Sequence, residues 1–113
     1  MFISVFRGPL DTRKEALYIG RMAVNEAYSA RLPGKENGPY DAYRHLLLSA
    51  ELTRRLGEAT ARAILYGHEI EGWWTGQSSS SRTMDESNNE LGISIGKSAT
   101  SWSGVVSSSK KLM

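Results

Sequence analysis

The sequence predicts an all-α fold, a small bundle of about four helices with a polar site between helices 2, 3 and 4. Three observations carry that expectation. "DTRKEALYIGRMAVNEAYSA" and "PYDAYRHLLLSAELTRRL" both space their apolar residues at helical intervals. Turn signals rich in Gly and Pro, "LPGKENGP" above all, separate such segments. "FISVF" near the start has strand-like composition, but one strand without a partner makes no sheet.

Helix 1 is expected from the capping box Thr12–Glu15 onward, with Ala16, Leu17, Ile19, Ala23 and Ala27 on its periodic face. Leu32-Pro33-Gly34 stops it, and residues 1–10 form an N-terminal arm. Pro39 suits the first turn of helix 2, which runs to about Leu56, where Gly57 supplies the C-terminal position. Helix 3, rich in alanine, follows from Glu58 to about Glu71. "GWWTGQSSSSRT" then reads as a polar loop with Trp73 and Trp74 at its root, flexible over 74–83. Helix 4 is expected from Met84 to about Lys97, and 98–113, serine-rich around Trp102, as a partly ordered tail. No internal repeat appears, and 113 residues make a single domain with one modest core.

Composition narrows the function classes. Apolar residues make up 40% and charged residues 23%, which is globular rather than disordered. The net charge of +2 comes from scattered basic residues, with no basic stripe and interleaved aromatics of the kind that binds nucleic acid. With no cysteine, disulfides and thiolate metal sites are excluded. "MFISVFRGPL" lacks a basic n-region and a cleavage site, so it does not read as a signal peptide; export would need a dedicated secretion system.

The polar residues are the informative ones. Asp41 and His45, four apart, lie on a stripe that continues through Leu48 and Leu52, an apolar face. A turn at Leu56-Gly57 makes helices 2 and 3 antiparallel, and His45, twelve residues before Gly57, comes level with His68, eleven after it. Neighbouring axes lie roughly 8–10 Å apart, close enough for both to share one ion, water or substrate. In "MDESNNELG", Asp85, Asn88, Asn89 and Gly92 fall on one face of helix 4, and Gly92 leaves room for a ligand or another backbone. Each residue alone has an ordinary structural explanation, such as an i,i+4 pair. Burying the whole set in so small a core is expensive without a purpose.

The motifs "NGPYDAYRH", "GHE" and "MDESNNELG", in that order over about residues 37 to 92, resemble a family of small bacterial domains of uncharacterised function. The resemblance picks out Asn37, Gly38, Asp41, Arg44, His45, His68, Glu69, Asp85, Asn88, Asn89 and Gly92. It also implies a context, since such domains occur alone or at the C-terminal ends of larger secreted or Rhs-type toxin-like proteins. A cognate immunity protein or a delivery-system protein would then be the partner.

Two function classes follow. The first is a small effector-like hydrolase, acting on a glycan or phosphodiester. Its catalytic candidates are Asp41, Arg44, His45, His68, Glu69 and Asp85, with Tyr40, Ser49, Asn88, Asn89, Gly92 and Trp74 to hold substrate. His45, His68 and Asp85 are the set that could ligate a divalent metal ion with a position open to water. A metal-free version keeps Glu69 protonated as general acid by burial near Trp73 and Trp74, with His45 oriented by Asp41. The second class is a non-enzymatic binding module, in which the polar core sets helix register and the Trp73-Trp74 loop contacts a protein. No G-x-S-x-G elbow or phosphate-cradling glycine loop is present.

Overall fold

A computed structural model of the chain describes the backbone of residues 9–32, 38–66 and 79–113, and the side chains of residues 11–32, 38–66 and 86–113. Among the described residues there are five helices and no strand: α1 (Pro9–Ser29), α2 (Pro39–Leu56), α3 (Glu58–Tyr66), α4 (Ser79–Ser98) and α5 (Trp102–Lys111). The described residues are thus all-α, with one helix more than the sequence suggests. None of these helices is long and apolar enough to cross a membrane.

The helix ends follow local chemistry. α1 starts at Pro9, three residues ahead of Thr12. Proline suits that place because its missing N–H would have no acceptor within the helix. Thr12 and Glu15 therefore lie inside the helix and do not cap it, contrary to the capping-box expectation. The chain leaves α1 through Arg31 at φ 57°, its N–H donating to the Tyr28 carbonyl at 3.1 Å. α2 has the boundaries expected of it. Gly57, at φ 91°, adopts a conformation that a side chain would strain, and its N–H donates to the Thr53 carbonyl at 3.0 Å.

Two segments differ from expectation. α4 begins at Ser79, within the stretch read as a loop. The tail contains α5, whose first turn is closed by Ser101 Oγ accepting the Gly104 N–H at 3.0 Å. Val105 and Ser109 are buried one turn apart, and Trp102 and Val106 pack against the core. That spacing is helical, but the serines between the apolar residues obscure it in the sequence.

α2 is the central helix and packs against each of the other four. Every residue from 45 to 53 is buried. This resolves the oddity of polar residues on an apolar stripe: over these positions α2 has no solvent face, so any polar side chain there must find a partner inside. Ser49 Oγ donates to the His45 carbonyl at 2.6 Å and Thr53 Oγ1 to the Ser49 carbonyl at 2.8 Å, which satisfies both hydroxyls within the helix.

The neighbours fix direction. α1 runs antiparallel to α2, with Tyr43 donating to Glu26 at 3.0 Å near one end and Arg55 to Glu15 at 2.8 Å near the other. α4 runs parallel to α2, since Gly92 sits on Leu46 and Ser49 while Gly96 sits on Ala50 and Thr53. α3 is tied antiparallel to α4 by Arg62 forked onto Glu90, at 2.7 and 2.9 Å, and by Lys97 beside Glu58 at 3.2 Å.

Candidate functional site

The amino-terminal half of α2 presents Asp41, Arg44 and His45 together. Asp41 stands in the first turn, where the helix dipole favours a carboxylate. Positions i, i+3 and i+4 then bring a guanidinium and an imidazole over it. Arg44 Nη2 donates to Asp41 Oδ1 at 2.5 Å and lies 3.4 Å from His45 Nε2, which is itself 3.7 Å from the same carboxylate oxygen. A guanidinium can only donate. The Asp41 carboxylate facing the same ring nitrogen can only accept, so Nε2 meets one neighbour or the other according to the tautomer of the neutral ring.

Asp41 and His45 are each only 2% exposed. Burial, followed by the adjacent Arg44 charge, lowers the His45 pKa from 6.5 to about 4; Asp41 and Asn89 oppose this without overcoming it. His45 is thus neutral in the folded protein at pH 7. An unfolded chain would take up the proton first as the pH falls, so stability should decline from pH 6.5 towards 4 and level off below. The slope reaches about 1.4 kcal/mol per unit only once the unfolded histidine is mostly protonated, so the loss between pH 6.5 and 5 is roughly 1–2 kcal/mol. Urea unfolding across that range checks it: His45→Gln should show a distinctly flatter pH dependence than the wild type, and equal slopes would contradict the assignment.

From α4, Asn89 comes within reach of the ring and favours its protonated form. Asn89 is buried, and its Oδ1 makes no hydrogen bond among the described residues. Asn88 beside it is half-buried. The parallel register explains why the two faces meet: 41, 45 and 49 on α2 and 85, 89 and 92 on α4 advance together. Ser49 and Gly92 lie at the closest approach of these helices. A Cβ at position 92 would stand 1.8 Å from Ser49 Oγ and 2.7 Å from the Leu46 carbonyl oxygen, so the neighbour that Gly92 admits is the α2 backbone.

The other expected site residues are placed elsewhere or lie outside the description. Tyr40 lines a separate groove with Tyr28 and Leu32. Asn37, His68, Glu69, Trp73 and Trp74 fall outside the described residues, as does the side chain of Asp85, which belongs to α4 one turn before Asn89. Among the described residues no three His, Cys, Asp or Glu side chains gather as a metal would require. Of the expected set His45, His68 and Asp85, only His45 is among the described side chains.

Sequence reasoning missed one buried carboxylate. Glu51 has no exposure and accepts from Arg54 at 2.8 and 2.6 Å and from Arg55 at 2.6 Å. The signal was present in "ELTRRL", where arginines follow the glutamate at i+3 and i+4.

A groove of about 340 Å³ between α1 and α2 reaches Arg44; Leu48 contributes to its wall and Arg21 to its rim. Through Arg44 the otherwise enclosed cluster meets solvent.

The molecule is thus a small all-α domain whose central helix carries an Asp–Arg–His cluster beside an asparagine of a parallel neighbour. The chain belongs to the family described as Domain of unknown function (DUF6973), whose model matches residues 5–113. No solved structure matches it.

Proposed function

We propose that this chain is a metal-independent hydrolase of phosphodiesters, with Arg44 binding the anion and His45 acting as general base. One observation carries the choice: Arg44 touches both Asp41 and His45 and also lines an open groove. An Arg is suited to phosphate, and its presence favours an anionic ester over a neutral glycan.

The chemistry follows from the contacts. A phosphoryl oxygen that takes over the Arg44 Nη2 contact puts the phosphorus beside His45 and frees Nε2, in the tautomer that leaves its lone pair there. Water there loses a proton to Nε2 as its oxygen attacks phosphorus, and one P–O ester bond breaks. The leaving oxygen takes a proton from a general acid, giving a phosphate monoester and an alcohol. Asp41, 3.7 Å away, stabilises the imidazolium that forms. A base that titrates near 4 is weak. A bound anion, however, offsets the Arg44 charge, the second largest cause of that depression, and raises the basicity of His45 when substrate arrives.

For the general acid we assign Glu69. The assignment rests on the "GHE" motif of the sequence, and Glu69 lies outside the described residues. The toxin-like context implied by the motifs makes a bacterial phosphodiester the natural target, with an immunity protein as partner.

The purified chain should release nitrophenol from bis(4-nitrophenyl) phosphate in the presence of EDTA. His45→Gln should reduce that rate roughly 10²–10⁴-fold, the usual contribution of a general base, with an unchanged helical circular dichroism spectrum. Undiminished turnover by this variant, or none by the wild type, would rule the proposal out.

A further inference from the structure

The groove beside Arg44 has a composition that phosphate binding alone does not explain. Leu17, Gly20, Arg21 and Val24 line it from α1, at i, i+3, i+4 and i+7, so they form one stripe along the helix. Leu48 closes it from α2. Its volume of about 340 Å³ falls within the range of small-molecule sites, which are typically apolar with a few polar groups that fix orientation. Leu17 and Val24 are each 40% exposed, leaving apolar surface open to water.

Both arginines have donors to spare. Arg44 makes its contacts to Asp41 and His45 through Nη2, and among the described residues Nε and Nη1 have no acceptor. Arg21 forms no ion pair among the described residues, whereas Arg54, Arg55 and Arg62 are all matched by carboxylates. Two guanidiniums at the edge of an apolar trough fit an anion joined to an apolar group. Inorganic phosphate would engage the arginines and leave Leu17 and Val24 uncovered.

We infer that the α1–α2 groove binds the apolar substituent of an amphiphilic phosphoanion, whose charged head is held by Arg44 and Arg21. The inference rests on the phosphodiesterase reading and names its substrate class: a phosphodiester carrying an alkyl or aryl group.

Hexylphosphonate and methylphosphonate, which cannot be hydrolysed at the P–C bond, test it by NMR titration of the methyl-labelled full chain. Hexylphosphonate should bind roughly tenfold more tightly or better, since its extra methylenes leave water. The methyl signals of Leu17, Val24 and Leu48 should shift. Val24→Asp should abolish the preference for the longer chain, and Arg21→Ala should weaken both ligands. Both substitutions are on the exposed rim, where the fold tolerates change. Equal affinity for the two phosphonates, or shifts confined to another surface, would overturn the groove inference even if the chain hydrolyses phosphodiesters. Preferential binding of hexylphosphonate in the groove by a chain that hydrolyses nothing would uphold the site and remove the catalytic proposal instead.

Discussion

Replacing Arg54 and Arg55 together with methionine should lower the free energy of unfolding by about 3–5 kcal/mol, the usual consequence of stranding a buried charge. Glu51 is wholly enclosed, and its two carboxylate oxygens are held by three N–H donors from these arginines. Without them the carboxylate keeps its burial and loses its partners. The converse substitution, Glu51→Met, should cost less. The arginine side chains are 23% and 30% exposed and can turn to water, and Arg55 keeps Glu15 at 2.8 Å and its place over the Tyr18 ring. Methionine in place of glutamate also fills similar space with a flexible apolar chain. Urea midpoints for the two variants decide the matter, and a Glu51→Met protein less stable than the double arginine variant would reverse the argument.

Gly96→Ala should destabilise the fold by roughly 1–3 kcal/mol, although alanine is the better helix former by about 1 kcal/mol. An added Cβ would meet the Ala50 carbonyl oxygen at 2.3 Å and Thr53 Cβ at 2.7 Å. The first is backbone in the middle of α2 and cannot rotate away, so the two helices must separate. Separation would also draw Asn89 back from His45, linking a packing change to the candidate site. Thermal unfolding of the variant gives the sign directly. A protein stabilised by the change would show that propensity, rather than the α2–α4 contact, governs this position.

Much of the architecture was legible because it depends on neighbours in sequence. Pro39 and Gly57 bound α2 through backbone chemistry that each carries alone. Asp41 and His45 could be paired because an α-helix brings i and i+4 together whatever surrounds it, while Arg44 was picked out by the motif resemblance alone. The spacing of Asn89 and Gly92 likewise put both on one side of α4, the side on which Gly92 packs against α2. For Glu51 the arginines at i+3 and i+4 mark an ion-pair partner, but only the four packed neighbours bury it. α5 was obscured because Val105 and Ser109 share a buried face that becomes apparent only once the bundle is assembled.

The sequence by itself determined an all-α fold, the limits of its central helix, and an Asp41–His45 pair on one side of that helix. These are local consequences of backbone geometry and residue spacing. Only the tertiary structure decided that α2 and α4 run parallel, that the neighbour accepted by Gly92 is the α2 backbone, and that Arg44 opens onto a groove against α1. Such features depend on the direction and separation of helices far apart in the chain, which close packing of small residues sets and no single segment encodes.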